Sequence, residues 1–489
     1  MSDDSSSLTV QLALPSPISE RGYNVPRPAI HGLNDDILLG IFNCCRLEEK
    51  DDWNYRLRWC KLSHVCRRWR HLIYECASHL GMHIECHNGS PIVTTLDHLP
   101  LLPLFVRYHY SHHSAPTVLE QDELGIFHVL RLHRRIRHIE LSLPPSILHK
   151  VLVLMEEYFP ILEHLSLSRS SSADNGHCLP LTLPKAFLAP NLHHLTLFGI
   201  GHPKRLRLLN STASLVKLTL GGIQTSYFRP RLLVARLRSL PLLEELTISF
   251  SIPTPRPSTE RELLGEKGAP ITLPSLKTLS FHGVGAYLES LVAQIRVPLL
   301  EQLSIRLFNQ IALVLPHLFY LINNTKVFKL SRATVSFYDD EVCVSTVHDH
   351  STGRSGRTAF SLCVGCKPLD WQIDCSAQIC HALIPMLSSV KELSLFLGYQ
   401  QGIPTEMQNG AIDSATWHDL LRRFIGVKEL HIYGALSEEL SLALQVDEVG
   451  SDPSFLPNLQ SIHAKDNLFT SFIDTRQVVG RPVQFERRR

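Results

Sequence analysis

A short apolar pattern, Leu-x-x-Leu-x-Leu with other apolar residues at some positions, recurs along the chain from residue 131 onward. A local pattern that repeats at similar intervals predicts an array of similar units rather than one closed domain, so it constrains the fold more than any other feature. The intervals are mostly 23 to 37 residues, with one gap of 63. Eleven copies begin at positions 136, 162, 192, 215, 243, 276, 300, 327, 390, 427 and 459.

Each copy predicts a short strand, because its apolar residues alternate with polar ones. A helix-like segment precedes the copies, as at Ile147–Phe159 and Trp417–Phe424. Stacked helix–strand units form a parallel sheet, with the leucines between the sheet and the helices. The predicted fold is therefore α/β, a curved helix–strand solenoid with a parallel sheet over residues 131–475. It resembles a degenerate leucine-rich repeat array, since the asparagine of regular repeats is missing after the strands.

Two stretches interrupt the predicted array. In the long gap, Val335–Val347 predicts two strands around an acidic turn, so we expect a hairpin insertion near residues 333–365 with a loop at 349–358. The Pro-rich segment 251–259 cannot continue a helix or a central strand, and it predicts an exposed loop.

Composition excludes several classes of protein. Of 489 residues, 44% are hydrophobic and 19% charged, which is too apolar for a mainly disordered chain. The net charge of +2 provides no global field for nucleic acid or an anionic membrane, so neither is expected as a partner. Met1–Pro17 carries acids where a secretory signal needs bases. The longest apolar stretch, Ile311–Ile322, is too short to span a membrane.

The segment from residue 30 to 80 predicts two short amphipathic helices that lie side by side. Asn34 is suited to cap the first, with Asp35 and Asp36 in its first turn. The apolar faces at helical spacing consist of Ile37, Leu38, Ile41 and Phe42 in the first helix, and of Leu62, Val65, Cys66, Trp69, Leu72 and Ile73 in the second. So small a unit has little core of its own and gains most by burying a face against a partner.

The stretches LNDDILLGIF at 33–42 and WCKLSHVCRRWRHLI at 59–73 resemble the F-box, above all in Val-Cys-Arg-Arg-Trp-Arg at 65–70. The following segment, residues 88–103, is similar to the linker after the F-box in many fungal F-box proteins. The chain departs from that pattern in Asn34, where proline is common, and in the polar insertion Glu48–Arg58. The predicted organisation is a disordered tail at 1–29, an F-box at 30–80, a linker and cap at 81–130, the repeat array at 131–475 and a basic tail at 476–489.

The resemblance implies a set of partners and the residues that bind them. The partners are a Skp-type adaptor and, through it, a cullin scaffold with its RING subunit. The residues assigned to adaptor binding are Leu33, Ile37, Leu38, Ile41 and Phe42, together with Val65, Cys66, Trp69 and Leu72 as partly core and partly contact.

Several cysteines and histidines have the residue types and spacing of metal ligands. Twelve cysteines are too few for a disulfide scaffold, so we expect reduced thiols in a cytoplasmic or nuclear protein. Two groups have ligand-like spacing, and buried thiols and solvated imidazoles are the favoured interpretation of both. These groups are Cys363, Cys366, Cys375 and Cys380 with the adjacent His381, and Cys76, His79, His83 and Cys86. The histidines at 109, 112 and 113 are expected in a polar linker, and neither a metal nor another cofactor is expected.

The remaining histidines and the absence of catalytic motifs indicate binding rather than catalysis. His164, His193, His194 and His431 occupy polar positions of the predicted strands, where they are contact candidates for a target. The sequence has no Gly-rich phosphate loop, H-E-x-x-H motif or G-x-S-x-G elbow. We therefore expect a non-catalytic substrate-recognition adaptor of an SCF-type ubiquitin ligase with an unidentified protein target. The alternatives are a repeat scaffold unconnected to ubiquitination and, more weakly, a zinc-dependent regulator that uses the cysteines near 363.

Overall fold

The chain forms two compact units, residues 1–82 and 83–489. The computed structural model describes residues 29–47, 58–76, 83–89, 92–96, 101–110, 116–170, 181–200, 208–209, 212–223, 229–251, 269–308, 313–328, 331–347, 358–398, 414–434, 436–445, 456–465 and 467–487. The predictions made for the tail 1–28, for most of the Pro-rich loop (252–259) and for the hairpin loop (349–357) lie outside these residues.

The first unit contains a 3-10 turn, Ala29–Gly32, and the helices α1 (Asp35–Leu47), α2 (Arg58–Ser63) and α3 (Arg67–Glu75). Asn34 caps α1 as predicted, because its Oδ1 accepts a hydrogen bond of 2.8 Å from the Ile37 N–H. The single second helix of the prediction is wrong. The chain leaves the helix after Ser63 and re-enters it at Arg67, where the Cys66 Sγ accepts from the Trp69 N–H.

The three helices enclose a small apolar core. The rings of Phe42 and Trp69 meet edge to face, with centroids 4.9 Å apart. Leu38 and Ile73 are fully buried. Arg68 links α3 to the start of α1, since its guanidinium donates to the Asp35 carboxylate and to the Leu33 carbonyl, each at 2.6 Å.

The second unit is built on one large sheet. Its sixteen described strands lie in the order β1-β2-β3-β4-β5-β6-β7-β9-β11-β14-β13-β12-β15-β16-β17-β18, while β8 and β10 pair separately. The strands, numbered along the chain, are β1 Ile84–His87, β2 Leu104–His109, β3 Ile136–Leu143, β4 His164–Arg169, β5 His194–Phe198, β6 Lys217–Ile223, β7 Glu245–Phe250, β8 Ile271–Thr272, β9 Thr278–Gly283, β10 Ile295–Arg296, β11 Gln302–Leu307, β12 Arg332–Phe337, β13 Glu341–Val347, β14 Thr358–Gly365, β15 Glu392–Leu397, β16 Glu429–Tyr433, β17 Ser461–Ala464 and β18 Gln484–Arg487.

Helices connect many of these strands. Several begin with proline in the first turn, where the missing N–H costs no hydrogen bond. The described helices of this unit are α4 Ile92–Leu96, α5 Pro116–Leu130, α6 Pro145–Leu154, α7 Pro230–Leu237, α8 Gly285–Val292, α9 Pro316–Asn324, α10 Leu369–Ala382, α11 Ile384–Leu387, α12 Ser414–Leu421, α13 Leu436–Gln445 and α14 Thr470–Val478. Among the described residues, none of the helices is long and apolar enough to cross a membrane.

All neighbouring pairs in the large sheet are parallel except β12–β13 and β13–β14, which are antiparallel. β12 and β13 flank the acidic turn at Tyr338–Asp340, where the sequence predicts a hairpin. The structure adds β14 as a third strand, and β12 then pairs in parallel with β15. The chain is therefore a mixed α/β protein with a large, mostly parallel sheet, in agreement with the predicted fold class at this level.

Three predicted segments have different bounds in the structure. The sheet begins within the predicted linker and cap at 81–130, because β1 and β2 pair with each other and β2 pairs with β3. The predicted basic tail at 476–489 contains β18, which pairs with β17. The predicted helix Ile147–Phe159 is shorter, since α6 ends at Leu154.

The sheet has a covered face and an open face. In β4 the side chains of Leu165 and Leu167 are fully buried, while His164 and Ser166 between them are partly exposed. This alternation follows from the two-residue period of a strand. We call the leucine side the covered face and the other side the open face, and the polar positions of the repeats lie on the open face.

Candidate functional site

Small hydroxyl side chains run across the middle of the open face. They lie in register on ten adjacent strands, from β4 to β15 in sheet order, and we call them the hydroxyl row. Its members are Ser166, Thr196, Thr219, Thr247, Ser280, Ser304, Ser361, Ser345, Thr334 and Ser394. Because these side chains are short, the larger side chains beside them and at both ends of the row determine the relief of the face.

Aromatic rings lie side by side next to one end of the hydroxyl row. Phe105, His138, His164 and His194 occupy matching positions on β2 to β5, and we call them the histidine row. The rings of His138 and His164 are stacked, with centroids 4.1 Å apart. His83 stacks on Phe105 at 3.7 Å and extends the row beyond β2.

The histidine row forms one side of an open groove of about 510 Å³. Ion pairs flank it, with Arg137 Nε 2.8 Å from Glu163 and Lys217 Nζ 2.6 Å from Glu245. Positive and negative groups therefore alternate along its edge. The groove is lined by Phe105, Arg137, His138, Glu163, His164, His193, His194 and Val216.

His138, His164 and His194 are held in the neutral form. Burial, followed by the neighbouring His164 and Arg107, lowers the pKa of His138 to about 3. The Arg107 Nε–H also donates to His138 Nε2 at 3.4 Å, which requires a neutral acceptor nitrogen. Burial likewise lowers the pKa of His164 and His194. At neutral pH the groove therefore offers uncharged imidazoles that can stack, donate and accept, which suits recognition of a peptide or polar side chain.

A second aromatic group lies on the open face beyond the hairpin. Phe396 on β15 is 37% exposed, and its ring lies 6.2 Å from that of Tyr338 and 6.3 Å from that of Tyr433. On the other half of the sheet, Phe198 is 47% exposed. Exposed aromatic side chains are enriched at protein interfaces. The predicted contact residues do not include these aromatic side chains, although Phe198, Phe396 and Tyr433 each follow the last apolar position of a repeat, which is the signal that could have found them.

The nine residues assigned to adaptor binding separate into two groups. Ile37 and Val65 are 50% and 59% exposed, and Leu33, Ile41 and Cys66 are intermediate. The others are buried and pack within the helical unit, so they are core rather than contact residues. This buried group comprises Leu38, Phe42, Trp69 and Leu72.

The cysteines near 363 do not converge on one point. Cys363 on β14 forms a disulfide with Cys343 on β13, so the expectation of reduced thiols is wrong for this pair. Cys366 and Cys375 share a hydrogen bond, which lowers the pKa of the Cys366 thiol and, with burial, raises that of the Cys375 thiol, so at most one of this pair is disposed to ionise. Cys380 is fully buried, and burial raises its pKa too. Since zinc binds thiolates, these environments do not favour the zinc-dependent alternative.

Of the other histidine and cysteine groups, the structure describes Cys76, at the end of α3, together with His83, Cys86 and His109. Cys86 is fully buried on β1, and burial raises the pKa of its thiol to about 12. His83 is engaged with the Phe105 ring. His109 is the last residue of β2, and its Nε2 lies 3.7 Å from a carboxylate oxygen of Glu140 on β3. His79, His112 and His113 lie outside the described residues.

The predicted contact histidines fall at both ends of the open face. His164, His193 and His194 line the groove, whereas His431 lies on β16 at the far end of the hydroxyl row.

A scan of protein-family models finds no match to this chain, and a search of curated proteins finds no similar sequence. The resemblance to F-box and leucine-rich-repeat proteins therefore rests on the residues quoted above.

Proposed function

We propose that this chain is a non-catalytic substrate-recognition subunit of an SCF-type cullin–RING ubiquitin ligase. The helical unit docks on a Skp-type adaptor, and the open face of the leucine-rich-repeat-like unit binds a protein target in the cytosol or nucleus. The chain makes and breaks no bond itself. It raises the effective concentration of target lysines near a ubiquitin-loaded enzyme.

The exposed apolar side chains of the helical unit carry this proposal. Ile37 on α1 is 50% exposed and Val65 between α2 and α3 is 59% exposed, whereas Leu38, next to Ile37 in sequence, is buried. Complete burial of such a side chain from water contributes about 1.5–3 kcal/mol, and these two are already about half covered, so a partner that covers the rest of one of them gains roughly half of that. A unit whose core is already filled by Phe42 and Trp69 does not need these two side chains for its own folding, so a partner is the better explanation for them.

The open face supports the second half of the proposal. Its groove combines neutral imidazoles, the Phe105 ring and flanking ion pairs, which are recognition groups rather than a nucleophile with an activating base. Exposed Phe198 and Phe396 extend the set of aromatic contacts along the sheet. Such a wide and varied surface suits a folded or extended protein target.

The docking proposal is tested by co-purification of the full chain with the adaptor from its native cell. An Ile37→Asp, Val65→Asp double variant is expected to lower adaptor recovery more than about tenfold, or about 1.4 kcal/mol, because each carboxylate loses its hydration in an apolar contact. The matched control is Ile425→Asp, Val153→Asp, which charges side chains of the same two types that are 55% and 60% exposed in the second unit. The control is expected to retain the adaptor.

Adaptor and cullin recovered with the wild type and control, and lost with the double variant, support the ligase role. If neither protein accompanies the wild type, the chain is a repeat scaffold outside the ubiquitin machinery, and the proposal fails. Equal recovery with wild type and double variant would place the adaptor contact elsewhere.

Target binding is tested separately on the open face. We expect a His164→Asp, His194→Asp variant to retain the adaptor but no longer to bind the target, so that proteins ubiquitinated in the presence of the wild type are no longer ubiquitinated. The two new carboxylates replace the neutral imidazoles and add negative charge beside Glu163 and Glu245. The measurement is quantitative proteomics of ubiquitinated peptides in cells that express each form. A Ser304→Asp variant, altered at an exposed position of the hydroxyl row, is the control. Unchanged ubiquitination in the groove variant would exclude this groove as the target site.

A further inference from the structure

Two histidines and three carboxylates meet at the far end of the open face, on the four strands β15 to β18. The rings of His431 and His463 are stacked, with centroids 4.3 Å apart and planes 17° apart. His431 Nε2 lies 3.5 Å from Glu392 Oε1 and 3.6 Å from Glu429 Oε2. His463 Nδ1 lies 3.3 Å from Glu486 Oε2. The cluster is separate from the histidine row, which lies on β2 to β5.

The spacing of these groups is close to that of metal ligands. The ligand atoms of Glu429, His431 and His463 all lie within 4.8 Å of one another, which among the described residues is true of this trio alone. Zinc binds imidazole nitrogen and carboxylate oxygen at about 2.0–2.2 Å, so neighbouring ligands of a tetrahedral site are about 3.3–3.5 Å apart. His431 Nε2 and Glu429 Oε2, 3.6 Å apart, already have about this spacing. Binding of both imidazoles to one ion requires the His463 ring to rotate out of its stack on His431, because each ring binds a metal in its own plane.

Burial and charge at the cluster also favour a dication. The His431 and His463 side chains are only 8% and 16% exposed, whereas those of Glu429 and Glu486, at the outer side of the cluster, are 52% and 60% exposed. The three carboxylates bring three negative charges to this pair, and Arg332, 2.7 Å from Glu392, contributes one positive charge. With neutral imidazoles, these four charged groups sum to minus two. A divalent cation would neutralise that charge in a partly desolvated position.

The two ring nitrogens of His463 face different groups. Glu486 faces Nδ1, and Ser461 Oγ lies 3.1 Å from Nε2, which is the nitrogen left for a metal ion, so an ion there takes the place of the Ser461 hydrogen bond. A histidine that ligates zinc commonly donates its other N–H to a carboxylate, which sets the tautomer and the ring orientation. Glu486 is placed for that role.

We propose that this cluster is a zinc site, with His431, His463 and Glu429 as ligands and Glu392 as a fourth oxygen donor. Glu486 orients His463. The ligands come from β15, β16 and β17, and Glu486 comes from β18, so the ion ties together the last four strands of the sheet. Its role is to hold this end of the open face in one conformation, and it takes no part in bond chemistry.

The first experiment is titration of the chelator-treated, untagged full chain with Zn²⁺ by calorimetry and with Co²⁺ by visible absorption. We expect one ion per chain, an absorption spectrum of tetrahedral Co²⁺ with nitrogen and oxygen ligands, and a higher Tm with zinc, because the ion binds the folded chain. No binding to the wild type would overturn the proposal and leave a network of histidine–glutamate ion pairs. A thiolate-to-cobalt charge-transfer band would also overturn it, since it would place the ion on cysteine.

Variants locate the ion. His463→Asn and Glu429→Gln are each expected to weaken zinc binding at least tenfold and to abolish the rise in Tm, as removal of a ligand or its charge requires. The matched control is His164→Asn, which alters the other stacked histidine pair of the open face and should bind zinc as the wild type does. Far-UV circular dichroism verifies the fold of each variant without metal. Undiminished binding in both cluster variants would contradict the assignment.

Discussion

Replacing Phe42 by alanine is expected to unfold the N-terminal helical unit. Phe42 is 3% exposed, and its ring packs edge to face on Trp69 between α1 and α3. Loss of a buried phenylalanine costs about 3–5 kcal/mol, which combines the lost transfer free energy with the cavity left behind. A unit of this size has a total stability of only a few kcal/mol, so the substitution removes most or all of it.

Hydrogen exchange of the full chain followed by mass spectrometry measures this effect, because it reports on peptides from α1 to α3 separately from those of the sheet. Amides of the helical unit should lose protection in Phe42→Ala, while those of β3 to β7 keep it. Ile37→Ala is the matched control, since Ile37 is half exposed and its truncation should leave exchange nearly unchanged. Wild-type protection in the Phe42 variant would show that the ring contributes little to this core.

In the helical unit the sequence predicts which residues of α1 share a face, but not which of them are buried. Ile37 and Phe42 belong to the same apolar stripe, and the helical period places both on one face of α1. Whether a side chain of that stripe lies inside or at the edge depends on where α3 crosses it. That crossing depends in turn on the break after Ser63, where the Cys66 cap restarts the helix. A short apolar stretch at helical spacing does not reveal such a break.

The sheet was more predictable, because its strands carry a local pattern. The copies at 162, 192 and 243 each coincide with a strand, β4, β5 and β7, and all three pair in parallel with their neighbours. β1 and β18 were missed because each has only four residues and neither contains the pattern. Pairing with a longer neighbour stabilises such strands, and that is a long-range effect.

The sequence pointed to single histidines of the candidate site, but it did not predict which residues lie together in the groove. His164, His193 and His194 were expected to be contact residues, and the structure places them in one groove. The sequence did not reveal that Phe105 and His138 continue the row. Their alignment depends on the register of β2 against β3, which shifts between Leu104 and Phe105. A shift of that kind follows from the packed sheet rather than from local pattern.

Lowering the pH from 7 to 5 is expected to destabilise the wild-type sheet unit more than a His138→Asn variant, by about 2 kcal/mol. The pKa of His138 lies near 3 in the folded chain and near 6.5 when unfolded. Between these values the unfolded chain binds the extra proton and the folded chain does not, so stability is complete above pH 6.5 and falls progressively toward pH 3. The Glu140 carboxylate, 3.5 Å from His138 Nε2, favours the protonated imidazole and so works against the low pKa. Arg107 lies equally close to the same carboxylate oxygen, and its positive charge offsets the effect of Glu140.

Urea titrations at pH 7 and pH 5 measure the difference, with fluorescence or circular dichroism as the signal and equal ionic strength at both pH values. His164 and His194, whose pKa values burial also lowers, are present in both proteins and contribute in the same direction, so most of their effect cancels in the comparison. The variant should be less stable than the wild type at pH 7, because it loses the ring stack with His164. The decisive quantity is therefore the change with pH and not the stability itself. An identical pH dependence in wild type and variant would show that His138 protonates freely in the folded sheet. The groove would then be positively charged under mildly acidic conditions, and targets with acidic side chains would bind it more tightly there than at neutral pH.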